Sequence, residues 1–176
     1  MNIDSFIKKI YPLAKRIGDI DPVFTTAQAG LESAWGERAI SVYNLFGVTR
    51  GSWPANRCTL AITTEYFKTP DKRFVPPEKV IGIPVLTETG GYKYRVLRFF
   101  RVYKSYDEAL NDHLELFKKP FYADAWKYRG DAKEFLKHIV DDVGLKYATS
   151  PKYRVQMLAC IDSVKRRLVK YPELNK

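Results

Sequence analysis

The chain has 176 residues, 45% of them hydrophobic and 14% aromatic, a globular composition at the length of one domain. No apolar run approaches the ~20 residues that cross a bilayer, so membrane insertion is not expected. Thirty Lys and Arg against 20 Asp and Glu leave a net charge of +10. That charge suits anionic polymers, whether nucleic acid, anionic lipid or a bacterial wall with its acidic peptides and teichoic acids, and does not choose among them.

The N-terminal stretch MNIDSFIKKIYPLAKRIG alternates charged and apolar residues. It lacks the continuous apolar core of a secretory signal, so synthesis in the cytoplasm without a signal peptide is expected. Residues 3–17 carry apolar groups at helical spacing, with Asp4 as a candidate cap, Pro12 as a candidate kink and Gly18 as the stop. Asp21-Pro22 is a good N-cap followed by a residue suited to the first helical position. A second helix should run from Pro22 to about Trp35, with Gly36 taking the left-handed turn that ends it.

Residues 41–60 have the Gly, Pro and Asn punctuation of a loop. TLAITTEY (59–66) alternates and is rich in Thr, Ile and Tyr, so it reads as a strand; residues 92–103 read as another. Between them lie several prolines and glycines, as in a long hairpin or flap. The region from about 48 to 103 is therefore read as a small β lobe inserted in one domain spanning 1–176.

Helices return at Ser105, where Ser105-Tyr106-Asp107-Glu108 has the form of a capping box and Leu110, Leu114 and Phe117 share a face. Asp131 should cap a helix containing Phe135, Leu136, Ile139, Val140 and Val143, closed by Gly144. Ser150-Pro151 should open the last one. The fold class is α+β. Cys58 and Cys160 read as two reduced, partly buried thiols. Neither they nor His113 and His138 have metal-ligand spacing, and neither metal nor cofactor is expected.

Two carboxylates stand out. Glycoside cleavage uses one carboxyl as proton donor and a second, ionised, as base or nucleophile. Glu32 sits among small and apolar residues, with Trp35 three positions on, a setting that raises a carboxyl pKa by desolvation. Glu65 lies on a strand among Thr63, Thr64 and Tyr66, a more polar setting. Taken alone, Glu32 also fits a solvent-exposed helix end, and Glu65 a cross-strand partner of Lys or Arg.

The motifs AQAGLESAWG (27–36), NLFGV (44–48), TTEY (63–66), FRVYKSYDEA (100–109) and YATSPKY (147–153) occur in one order. In this the chain resembles glycoside hydrolase family 73, the N-acetylglucosaminidases of bacterial autolysins, flagellar wall hydrolases and phage lysins. The resemblance covers about residues 22–168. It implies a lysozyme-like fold, a mainly helical lobe facing a small β lobe across a sugar-binding groove, and cleavage of β-1,4 bonds in peptidoglycan. It implies Glu32 as general acid, Glu65 as second carboxylate and Tyr147 lining the reaction centre. Asn44, Phe46 and Gly47 match the loop beneath the substrate, and Trp35, Tyr66 and Tyr122 are candidate sugar contacts.

Two departures from the family pattern stand out. Ser150 replaces the aspartate of the usual Y-A-T-D-P, and residues 67–98 are longer than the tight hairpin of many relatives. Glu78 and Glu88 in that stretch are alternative carboxylates.

The expectation is a monomeric endo-β-N-acetylglucosaminidase of the phage or prophage endolysin type, acting on the wall after release and binding no nucleic acid. A muramidase or lytic transglycosylase on the same fold is the alternative chemistry. A basic wall- or nucleic-acid-binding domain is the alternative of another class, suggested by YKYRVLRFFRVYK (92–104).

Overall fold

The structure, a computed structural model, describes residues 1–88, 90–141 and 151–176. It has the α+β class expected from the sequence. Backbone contacts divide it into two compact units, Met1–Gly47 with Tyr103–Lys176, and Val48–Val102. None of the helices among the described residues is long and apolar enough to cross a membrane.

The first unit is helical. Helix α1 (Ile3–Ile17) is capped by Asn2, whose side chain accepts from the Ser5 N–H at 2.8 Å, and it ends at left-handed Gly18. Asn2 thus does what Asp4 was expected to do. Asp4 instead accepts from Arg167 at 2.6 Å, Lys170 at 3.0 Å and Tyr171 at 2.5 Å, tying the start of α1 to the far end of the last helix. Helix α1 runs through Pro12 without interruption.

Helix α2 (Pro22–Ser33) begins as the sequence indicates: the Asp21 carboxylate accepts from the Val23 N–H at 2.7 Å, and Pro22 occupies the first turn. It is the central helix, packing against α1 (Ile3–Ile17) and two later helices, with Phe24, Ala27, Ala29 and Gly30 buried. After the described loop come α3 (Tyr106–Phe117), α4 (Ala123–Trp126), α5 (Ala132–Asp141) and α6 (Pro151–Lys170). Phe24, Phe117 and Phe135 meet edge to face and join α2, α3 and α5 in one aromatic core.

Ser105 caps α3 by accepting from the Glu108 N–H, while Glu108 reaches back to the Lys104 N–H at 2.6 Å, one residue beyond the usual capping-box partner. Asp131 caps α5 through the Lys133 and Glu134 N–H groups. The expectations at Val143, Gly144 and Ser150 lie outside the described residues.

The second unit is a four-stranded antiparallel sheet of β1 (Cys58–Phe67), β2 (Lys79–Val80), β3 (Val85–Leu86) and β4 (Tyr92–Arg101). β1 and β4 pair over their whole length, Cys58 opposite Arg101 and Phe67 opposite Tyr92. The stretch between them folds back along the other edge of β4, where β2 and β3 pair with it. The expected flap is therefore built into the sheet. Alternation places Thr63 and Glu65 of β1 with buried Tyr94, Val96 and Phe100 of β4 on one face, and Ile62, Thr64 and Tyr66 on the other. Cys58 and Cys160 are both free and partly buried.

Candidate active site

Glu32 occupies the last turn of α2, as the sequence indicates, but the helix ends two residues earlier than expected. Ser33 is its last residue, and Ala34, Trp35 and Gly36 all take positive φ, at 48°, 58° and 86°. Two of these are not glycine, a costly arrangement that local packing must hold. The holding contacts are specific. The Ser33 hydroxyl donates to the Ala29 carbonyl at 2.6 Å and accepts from the Gly36 N–H at 2.8 Å. The Trp35 N–H donates to the Gly30 carbonyl at 2.7 Å, and the indole lies against Gly30 itself. A Cβ on Gly30 would stand 2.5 Å from the indole ring. The indole also meets Phe6 of α1, edge to face with centroids 5.6 Å apart.

Glu32 is thus held on a rigid corner. Its side chain is open to solvent, yet protein lies densely enough around the carboxyl that desolvation pushes its pKa up to about 6. Accessible area and depth measure different things, and for a proton donor both matter: the substrate must reach the group, and the charged form must be disfavoured. One turn earlier on α2, buried Gln28 donates to the hydroxyl of buried Tyr153 on α6 at 2.8 Å. The Tyr153 hydroxyl is pushed above its usual range, first by burial and next by the charge of Glu32. Gln28 and Tyr153 lie inside the quoted motifs and were not singled out from sequence. Their signal is weak: a polar residue one turn before a carboxylate, and a tyrosine far along the chain.

In the β unit, Glu65 is paired. Arg98 of β4 donates one terminal nitrogen to both Glu65 oxygens, at 2.8 and 2.9 Å. The same guanidinium faces Glu78 at 3.2 Å, and Glu78 also accepts from the Phe99 N–H at 2.8 Å. One cation thus serves two carboxylates, each less than a quarter exposed or nearly so. Arg98 and the role of Glu78 as its second partner are not readable from sequence, because both depend on register. Glu88 lies in the hairpin turn after β3 (Val85–Leu86).

The remaining expected contacts separate by burial. Tyr66 is 66% exposed, on the sheet face opposite Glu65. Trp35 is only partly exposed, its ring engaged by Gly30 and Phe6. Tyr122, expected to touch sugar, is 4% exposed and packs on Phe117 and Phe121, so its ring is occupied by the core. Phe46 is 9% exposed and stacks on His113 at 3.7 Å, and Asn44 is fully buried. Their side chains anchor the loop from inside; neither offers a face to a ligand. Gly47, with φ 61°, is exposed at its end. Tyr147 lies outside the described residues.

Known proteins are similar to this chain in sequence and in fold. The family described as Mannosyl-glycoprotein endo-beta-N-acetylglucosaminidase matches residues 8–166. The peptidoglycan hydrolase FlgJ of Escherichia coli (strain K12) is 36% identical over 149 residues, 79% of this chain and 38% of the relative. That of Pseudomonas aeruginosa is 26% identical over 85% of this chain and 34% of its own length. The chain spans about a third to under a half of the curated relatives it matches. A peptidoglycan hydrolase mutant from Sphingomonas sp. A1 has a similar fold, with a TM-score of 0.68 at 26% identity over 95% of this chain and 99% of that one. The glycoside hydrolase domain of Salmonella typhimurium FlgJ gives 0.65 at 26% identity over 98% and 94%. The family match over nearly the whole chain and these folds agree with the motifs around Glu32 and Glu65: the chain belongs to the glucosaminidase family, glycoside hydrolase family 73.

Proposed function

We propose that the chain hydrolyses β-1,4 glycosidic bonds of bacterial peptidoglycan at the cell wall, as an endo-β-N-acetylglucosaminidase. The observation that carries this reading is Glu32: an accessible carboxyl on a rigid helix end, with a pKa pushed up to about 6, in a chain of this family. Glu32 donates its proton to the leaving oxygen. Glu65, held by Arg98, acts as the second carboxylate, base or stabiliser. Tyr147 has its assignment from the Y-A-T motif alone. The relatives named peptidoglycan hydrolases support the polymer as substrate.

The basic character is read as attraction to the anionic wall. Of the basic residues in β4 (Tyr92–Arg101), Arg98 is spent on Glu65 and Glu78, and Arg101 on the Thr49 and Arg50 carbonyls. That use inside the fold weakens the case for a nucleic-acid stripe along 92–104.

The test is mass spectrometry of soluble fragments from purified peptidoglycan after borohydride reduction, with Glu32→Gln alongside. Reduced N-acetylglucosamine ends from the wild type, absent from the variant, are expected. Reduced muramic ends would make the enzyme a muramidase, and anhydro ends a lytic transglycosylase. No fragments from walls of several chemotypes would sink the hydrolase reading.

A further inference from the structure

We infer that a pocket of the β unit around Arg50 binds a peptide end bearing both a carboxylate and an amine, and that its occupant is the peptide stem of the wall polymer. The identity of the occupant rests on the proposed function; the chemistry of the pocket does not.

The pocket has a volume of about 310 Å³, within the range of small-ligand sites. Val75, Pro76 and Phe99 give it apolar walls, and Arg50, Glu78 and Arg98 its charge. The Arg50 Nε donates to the Trp53 carbonyl at 2.9 Å, which fixes the plane of the guanidinium, and its carbon lies 5.5 Å from the Phe99 ring centroid. No acceptor among the described residues takes its two terminal nitrogens. A guanidinium stays charged, and its fork of donors matches a carboxylate. Beside it, the Arg98 guanidinium carries a second positive charge, with its Nε turned to Glu78 at 3.2 Å.

Glu78 decides the class of ligand. It gives the pocket a negative pole opposite in sign to Arg50. A doubly charged phosphate meets repulsion there, whereas a ligand with an amine next to its carboxylate satisfies both poles. Peptide stems carry both groups. Val75, Pro76 and Glu78 all belong to the stretch 67–98, so the lengthened segment supplies three walls of the pocket. Because Arg98 also holds Glu65, the bound peptide abuts the residue that positions the second carboxylate.

The experiment is a titration of the isotopically labelled whole protein with the sugar-free tripeptide L-alanyl-γ-D-glutamyl-L-lysine, followed by amide NMR. Saturable shifts at Arg50, Gly51 and Phe99 are expected, and Arg50→Gln should weaken binding about tenfold or more, as for loss of a hydrogen bond to a charged group. Inorganic phosphate at equal ionic strength should leave those amides unmoved. The inference is overturned by three results: no shift with the peptide, phosphate competing as well as the peptide, or an intact Arg50→Gln protein that binds like the wild type. Wall hydrolysis is assayed in parallel. Hydrolysis without peptide binding removes this pocket and leaves the proposed function, while peptide binding without hydrolysis does the reverse.

Discussion

Desolvation of the Glu32 carboxyl has consequences of opposite sign for activity and stability. A proton donor must carry its proton, so hydrolysis should decline as pH rises through about 6. General acid catalysis is worth about 10²–10⁴-fold, so Glu32→Gln should lower the rate at about pH 5 by a factor in that range. For stability, the folded pKa lies above the ordinary value of 4.5. The folded state is therefore at its full advantage below 4.5 and loses part of it as pH rises through about 6. Glutamine cannot ionise, so the variant should gain in Tm over the wild type across that interval and hold a constant lead above it. Thermal unfolding from pH 4 to 8 reads the difference; a gap that does not move with pH would count against desolvation as the cause. Glu32 was legible in the sequence because its neighbours are small and apolar on the helix that carries it. The partner of Glu65 was not. Arg98 stands 33 residues away and comes within reach only once Cys58 is set opposite Arg101. Tyr122 was read as a sugar contact from its residue type, and Phe46 and Asn44 as the loop beneath the substrate from their motif, and burial is a property that neither discloses.

Element starts were legible where a side chain closes them locally. Asp21, Ser105 and Asp131 each cap the helix that their sequence announces. The end of α2 was not, because packing decides it: Ala34 and Trp35 adopt left-handed backbone so that the indole can lie on Gly30 and Phe6. The short strands β2 and β3, two residues each, carry too little alternation to be seen and exist by pairing with β4. Gly30→Ala tests the corner. Alanine is the better helix former by about 1 kcal/mol, but its Cβ would stand 2.5 Å from the indole. Overpacking of this kind costs about 1–3 kcal/mol, so denaturant unfolding should show a net loss and tryptophan fluorescence a shift; a stabilised variant would show that the ring yields freely. The tie from α1 to α6 makes a second test. Hydrogen bonds from Tyr171, Lys170 and Arg167 hold the Asp4 carboxyl far below the usual carboxylate range. A lowered pKa gives stability that is present above the unfolded value of 3.8 and lost as pH falls through the folded one. Asp4→Asn should therefore lower Tm at neutral pH, with the gap closing only in strong acid; a gap already closed at pH 5 would contradict it.

For the molecule as a whole, the formal charge of +10 acts at a distance that salt controls. The screening length is about 10 Å at 0.1 M and about 3 Å at 1 M. Binding to anionic walls should weaken several-fold between roughly 0.05 and 0.5 M salt, while cleavage of a short neutral chito-oligosaccharide should change little. Sedimentation of the protein with wall sacculi at each ionic strength measures the first; equal loss for both substrates would locate the salt effect in the fold or the chemistry. Charge and composition were readable at once, and the ordered motifs supplied the family. The β unit acquired its shape from pairings that no single segment contains.

The contact between Gly30 and Trp35 also bears on how such a chain can change over generations. The missing side chain at one position is the space that the ring at the other fills. While Trp35 stays, a side chain at position 30 must displace the ring, and the corner the two residues form carries Glu32 two residues before the turn. The constraint runs one way: a sequence that loses the tryptophan is released from the glycine, and one that keeps it is not.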